Sequence, residues 1–129
     1  MIYSALTLHY FETAVGEASV GVGILAGPDV FRGAAGDRRH GTWVQFDVHV
    51  SAGIIRAARF LAFACPHTIA VSAWIAEHAA GTVARPCLPE SVQDLSDRFA
   101  VPVAKRGRLL IVEDAWVAAL ASTIEPPIE

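Results

Sequence analysis

The chain has 129 residues, enough for one domain with an ordinary core. Apolar residues make up 53% and charged residues only 18%, with a net charge of -3. That balance argues against a general nucleic-acid binder or membrane-surface binder, and it leaves room for a self-association face.

Residues 4–12 (SALTLHYFE) have helical spacing at Leu6, His9 and Tyr10, with Ser4 as the N-cap. Residues 20–26 (VGVGILA) read as a short apolar strand, followed by a loop rich in glycine and charge, GPDVFRGAAGDRRHG. The strand signal is clearest over 42–50 (TWVQFDVHV). Val44, Phe46, Val48 and Val50 alternate there with Trp43, Gln45, Asp47 and His49. Ser51-Ala52-Gly53 is expected to be a three-residue hairpin loop, with residues 54–63 returning as the paired strand.

Pro66 suits the first position of a helix, where its missing N–H costs nothing, and Gly81 suits the stop after about Ala80. A Pro-containing linker over 82–89 leads to a short helix in SVQDLSDRFA. The last helix covers about 108–122, with Leu109, Val112, Trp116 and Leu120 on one stripe. The order predicts an α+β domain over 1–124, a three-stranded antiparallel sheet with helices packed on one face, and a loose tail at 125–129. The longest uncharged run, between Arg59 and Glu77, is shorter than a membrane span. MIYSALTLHYFET lacks a basic leader region. With two cysteines and no sign of secretion, the expectation is a cytoplasmic protein with free thiols.

Candidate chemistry gathers at the junction FLAFACPHTIA. If Pro66 is the first helical residue, Cys65 is at the N-cap, where unpaired backbone N–H groups favour a thiolate. Both metal binding and nucleophilic attack require that form; a buried inert cysteine is the other reading. His67 lies two residues on and is either an added ligand or base, or a surface or capping residue. Asp37, followed by Arg38, Arg39 and His40, reads locally as a turn residue. Lys105, Arg106 and Arg108 crowd a helix start, where cations oppose the dipole, so an ion pair, an anion or a partner surface should account for them. Cys87 sits in a Pro-flanked loop without a CxxC companion and reads as exposed and incidental.

Taken in order, these pieces resemble the IscU/NifU-N family of iron–sulfur cluster assembly scaffolds. They are YSALTLHY with Val15-Gly16, AAGD at 34–37, GIIRAARFLAFAC at 53–65, and VPVAKRGRLLIVEDA at 101–115. The resemblance implies a scaffold in which three cysteines and an aspartate hold a nascent [2Fe-2S] cluster, iron or zinc. Carried onto this chain, the first cysteine position is Ala35 before Gly36-Asp37, and the second is the retained Cys65. The third, behind a histidine, falls on Gly107-Arg108. The family's Leu-Pro-Pro-Val-Lys motif reads Val101-Pro102-Val103-Ala104-Lys105, and its Asn-Pro-Arg-Asn turn is replaced by FETA.

One thiolate and one carboxylate fall short of the four protein ligands of a usual cluster. His67 or His40 could add a ligand, and a homodimer could pool two cysteines. The resemblance therefore implies Cys65 and Asp37 as metal residues and Arg108 as a site-filling cation paired with Asp37 and the Cys65 thiolate. It implies a cofactor that is [2Fe-2S], iron, zinc or none. Expected partners are iron–sulfur assembly proteins or a client, with no nucleic acid or membrane. Three functions remain open at this point: a divergent scaffold, a metal-free interaction module on the same fold, and a small thiol enzyme with Cys65 as nucleophile and His67 as base.

Overall fold

A computed structural model of the chain describes residues 3–16 and 21–121. Helix α1 (Ala5–Val15) comes first, then strands β1 (Val30–Asp37), β2 (Thr42–Ser51) and β3 (Ile54–Phe63). Helices α2 (Pro66–Ala79), α3 (Val92–Arg98) and α4 (Arg106–Ala121) follow, with single 3-10 turns at Arg38–His40 and Val103–Lys105. The strands form one antiparallel sheet in the order β1-β2-β3. The architecture is therefore α+β, with a three-stranded sheet and helices packed against it. The expected tail at 125–129, and Val20 of the expected first strand, lie outside the described residues.

The alternation in β2 sets the layers. Val44, Phe46 and Val48 are completely buried and face the helices, and the Trp116 indole of α4 meets the Phe46 ring edge-on at 5.1 Å. Helix α4 lies across β1 and β2, α2 covers β3, and α1 packs on α2. The start of α1 is tied to the end of α3. Ser4 accepts from the Thr7 amide, and the Ser4 and Thr7 hydroxyls both donate to the Phe99 carbonyl. That pairing satisfies Thr7, which is fully buried.

Two expectations need correction. The first strand is not 20–26. Its described residues, 21–26, make a single parallel bridge, Val22 to Phe60, and β1 instead runs through the stretch read as a glycine-rich loop. The reason is packing. A Cβ on Gly33 would stand 2.1 Å from the Ala119 amide nitrogen, and one on Gly36 would stand 2.2 Å from the Thr42 carbonyl oxygen. These glycines mark close backbone approach within a strand rather than a turn. The hairpin loop is also shorter than expected. Ser51 pairs with Ile54, and Ala52 and Gly53 alone make the turn with φ of 53° and 74°, a left-handed pair that matches the strand twist.

The residues before β1 cross the face of the sheet away from the helices. The Leu25 amide donates to the Asp47 carboxylate at 2.9 Å, and Arg32 grips the same carboxylate through two nitrogens at 2.7 and 2.9 Å. Asp47 is 1% exposed as a result. Among the described residues, no helix is long and apolar enough to cross a membrane.

Candidate functional site

One end of the sheet brings three chain segments together. The register places Ala35 opposite Val44 and Val44 opposite Ala62, so the end of β1 and the end of β3 lie in the same rows. Cys65 follows β3 by two residues and is the N-cap of α2, with φ -74° and ψ 164° and Pro66 at the first helical position. Helix α4 begins at the same end: a Cβ on Gly36 would meet the Ile111 side chain at 3.0 Å, and Ile111 lies three residues, about one helical turn, beyond Arg108.

Cys65 is half-buried and unbridged. Burial pushes its thiol up, but other influences outweigh that and leave it below the ordinary thiol value. The Thr68 hydroxyl lies 3.4 Å from Sγ. The Thr68 backbone amide and the Arg108 guanidinium approach as polar contacts short of formed hydrogen bonds, and the guanidinium adds its charge. Thr68 was not singled out from sequence. Its signal is a hydroxyl three residues after an N-cap cysteine, one turn along the helix.

Arg108 thus stands beside the sulfur, but it makes no ion pair with Asp37 among the described residues. The Asp37 carboxylate is held by its own turn. It accepts from the Arg39 amide at 2.8 Å and pairs with the Arg39 guanidinium at 3.0 Å, with His40 Nδ1 at 3.7 Å. The Arg39 side chain and then its amide hold this carboxyl below the usual range. Aspartate two residues before a free amide forms this local turn with a partner from its own chain neighbours, and Arg39 wins over a cation on a distant helix.

His67 is 2% exposed, which corrects the expectation of a surface or capping residue. The Tyr3 ring packs on it at 4.7 Å, and its Nδ1 has no hydrogen-bond partner among the described residues. Burial first, then the charges of Lys105 and Arg108, hold its imidazole below the ordinary value, so it is a neutral ring at pH 7. Ala35 is half-buried and contributes only a methyl group. Among the described residues, no group of three His, Cys, Asp or Glu side chains converges. Cys87 is exposed, and its carbonyl accepts from the Trp116 indole N–H at 2.9 Å. It lies in the linker that follows the far end of α2, a helix about 20 Å long whose N-cap is Cys65.

This arrangement predicts a thiol titration that depends on Arg108. Replacing Arg108 with glutamine should move the Cys65 thiol upward and slow its alkylation at neutral pH, with Cys87 unaffected. The pH dependence of iodoacetamide labelling, resolved by peptide mass, checks this. An unchanged Cys65 profile would show that the guanidinium does not act on the sulfur.

The fold that carries this site is an IscU/NifU-like one. Two of the solved structures that match it do so over nearly their whole length. The first is a nitrogen-fixing NifU-like protein (N-terminal) from Brucella abortus, at 19% identity over 92% of this chain and 91% of that one, with a TM-score of 0.67. The second is a candidate iron–sulfur cluster assembly scaffold protein for the SUF system from the thermophile Fervidobacterium islandicum AW-1. It matches at 12% identity over 92% and 96%, with a TM-score of 0.70. At these identities the likeness is one of fold. No family model matches the chain, and no curated protein does.

Proposed function

We propose that this chain is a scaffold-fold protein of iron–sulfur cluster assembly that no longer holds a cluster with its own ligands and works instead as a binding module. It engages assembly proteins or a client at the Cys65 end of the sheet. The observation that carries this reading is the Arg108 guanidinium beside the lone Cys65 sulfur, which it biases toward the thiolate form. A cation stands where a scaffold would need a further thiolate, and it supplies the charge balance a metal would otherwise bring.

The donor set does not fit a cluster as cargo. There is one sulfur donor, a methyl group at Ala35, and a carboxylate already committed to Arg39. Exposed apolar side chains on either side of the site support an interaction role: Phe63, just ahead of Cys65, is 54% exposed, and Val103, just ahead of α4, is 76% exposed. A thiol enzyme is the weaker reading, because the His67 ring is packed against Tyr3 and its basicity is lowered by burial and by two cations, where a thiolate partner would raise it.

Zinc titration into the reduced protein tests this. The native chain should bind zinc only weakly, whereas the double variant Ala35→Cys with Arg108→Cys should gain affinity of about a hundredfold or more as two thiolates join Cys65. Tight, stoichiometric zinc on the native chain, lost in Cys65→Ala, would overturn the proposal.

A further inference from the structure

At the opposite end of the molecule from Cys65, a half-open cavity of about 350 Å³ lies where the linker after α2 passes between the β2–β3 hairpin and α4. That volume is in the range of small-molecule sites. Its accessible apolar walls are Val83, Leu88 and Pro89, over a floor of the buried Ile55 and Trp116 side chains.

The walls are built rather than loosely draped. The Ile55 amide donates to the Thr82 carbonyl at 2.9 Å, the Ala84 amide to the Gly53 carbonyl at 2.8 Å, and the Gly81 amide to the Ile55 carbonyl at 2.8 Å. Trp116 Nε1 then fastens the far side of the linker through the Cys87 carbonyl at 2.9 Å. A linker held at both edges cannot fall inward to close the space, and Val83 stays 51% exposed against it.

The polar inventory of the walls is short. The Trp116 N–H is spent on Cys87, and the Thr82 hydroxyl is spent on the Ala79 carbonyl at 2.6 Å. The Cys87 thiol is a weak hydrogen-bonding group. No aspartate or glutamate lines the cavity, and Arg85 on its rim makes no ion pair among the described residues. One free cation over an apolar chamber, in a chain of net charge -3, selects a ligand with an apolar body and a single anionic head.

From this we infer that the cavity between the 82–89 linker and Trp116 is a binding site for a small amphipathic carboxylate, its alkyl or aryl body on Val83, Leu88 and Pro89 above the buried Ile55 and Trp116 and its carboxylate on Arg85. The site is independent of the proposed function, since it shares no residue with the Cys65 end.

Octanoate is the probe and octanol the uncharged control. In amide and indole NMR spectra, octanoate should shift Val83, Cys87 and the Trp116 indole while leaving Cys65 and Thr68 in place. Arg85→Gln, a change at an exposed position, should weaken octanoate roughly three- to fivefold and leave octanol unchanged. In a Cys65→Ser background, octanoate should also slow alkylation of the exposed Cys87. The inference is overturned if octanoate causes no shifts at millimolar concentration, if the shifts fall elsewhere, or if octanol binds the native chain as well as octanoate does.

Discussion

Gly33→Val should cost about 3 kcal/mol or more of stability, the largest single effect anticipated for this chain. A Cβ at Gly33 would stand 2.1 Å from the Ala119 amide nitrogen and 2.6 Å from the Ala115 carbonyl oxygen, both backbone atoms of α4. Backbone cannot swing aside as a flexible side chain can, so α4 must lift from β1 and open the contact beneath Trp116. Because α4 also carries Arg108, the loss reaches the functional site as well as the core. Gly107→Ala is the control on the same helix. A Cβ there meets nothing within 4 Å, and replacing a helical glycine should leave stability within about 1 kcal/mol of native, on the stabilising side. Urea midpoints compare the two. Equal midpoints would mean that β1 and α4 do not pack as described.

The second large effect belongs to Asp47. Asp47→Ala should cost about 2–3 kcal/mol, because the Leu25 amide loses its acceptor and the tie from Leu25 to β2 is released, while Gly21 and Gly23 stay bonded to the Phe60 backbone. The loss stays below that of a fully buried ion pair because Arg32 remains 52% exposed and rehydrates. Burial pushes the Asp47 carboxyl up, but the two Arg32 bonds and the Leu25 amide outweigh it and hold it below the usual carboxylate value. A carboxyl depressed in the folded state contributes stability that is complete above the unfolded value, near pH 4, and is lost as pH falls through the folded value. Asp47→Asn should therefore flatten the acid limb of the stability profile below about pH 4, while the native chain loses stability there. An acid limb unchanged by the substitution would place that loss on other groups.

The comparison of sequence with structure turns on what periodicity can and cannot see. Strand β2 was legible because its two faces differ: Val44, Phe46 and Val48 against Trp43, Gln45 and Asp47. Helix α2 was legible from Pro66 at its start and from Gly81, which takes a left-handed φ of 89° directly after the Ala80 C-cap. Strand β1 was not legible. Gly33 serves α4's close approach and Gly36 the approach of the Thr42 carbonyl of β2, and only the folded elements reveal those needs. The burial of His67 was equally hidden, since it depends on Tyr3 arriving from a segment more than sixty residues away.

The site was legible in part. Cys65 stands at the N-cap, as Pro66 implied, and Arg108 lies beside it. The anticipated Asp37–Arg108 pair does not form, because Asp37 closes a turn on Arg39 two residues away, a contact with almost no loop entropy to overcome. Thr68, the hydroxyl partner of the sulfur, went unnoticed because a threonine in a first helical turn is common and carries no signal until the N-cap residue is known to be a cysteine.

Anaerobic reconstitution of the reduced native chain with ferrous iron and sulfide tests the central claim most directly, with visible absorption and metal analysis read on the same desalted sample. The account predicts no sulfur-to-iron charge-transfer band and no retained iron, in the native chain and in Cys65→Ala alike. A stable band in the native chain that disappears in Cys65→Ala would contradict it and make this protein a cluster-holding scaffold.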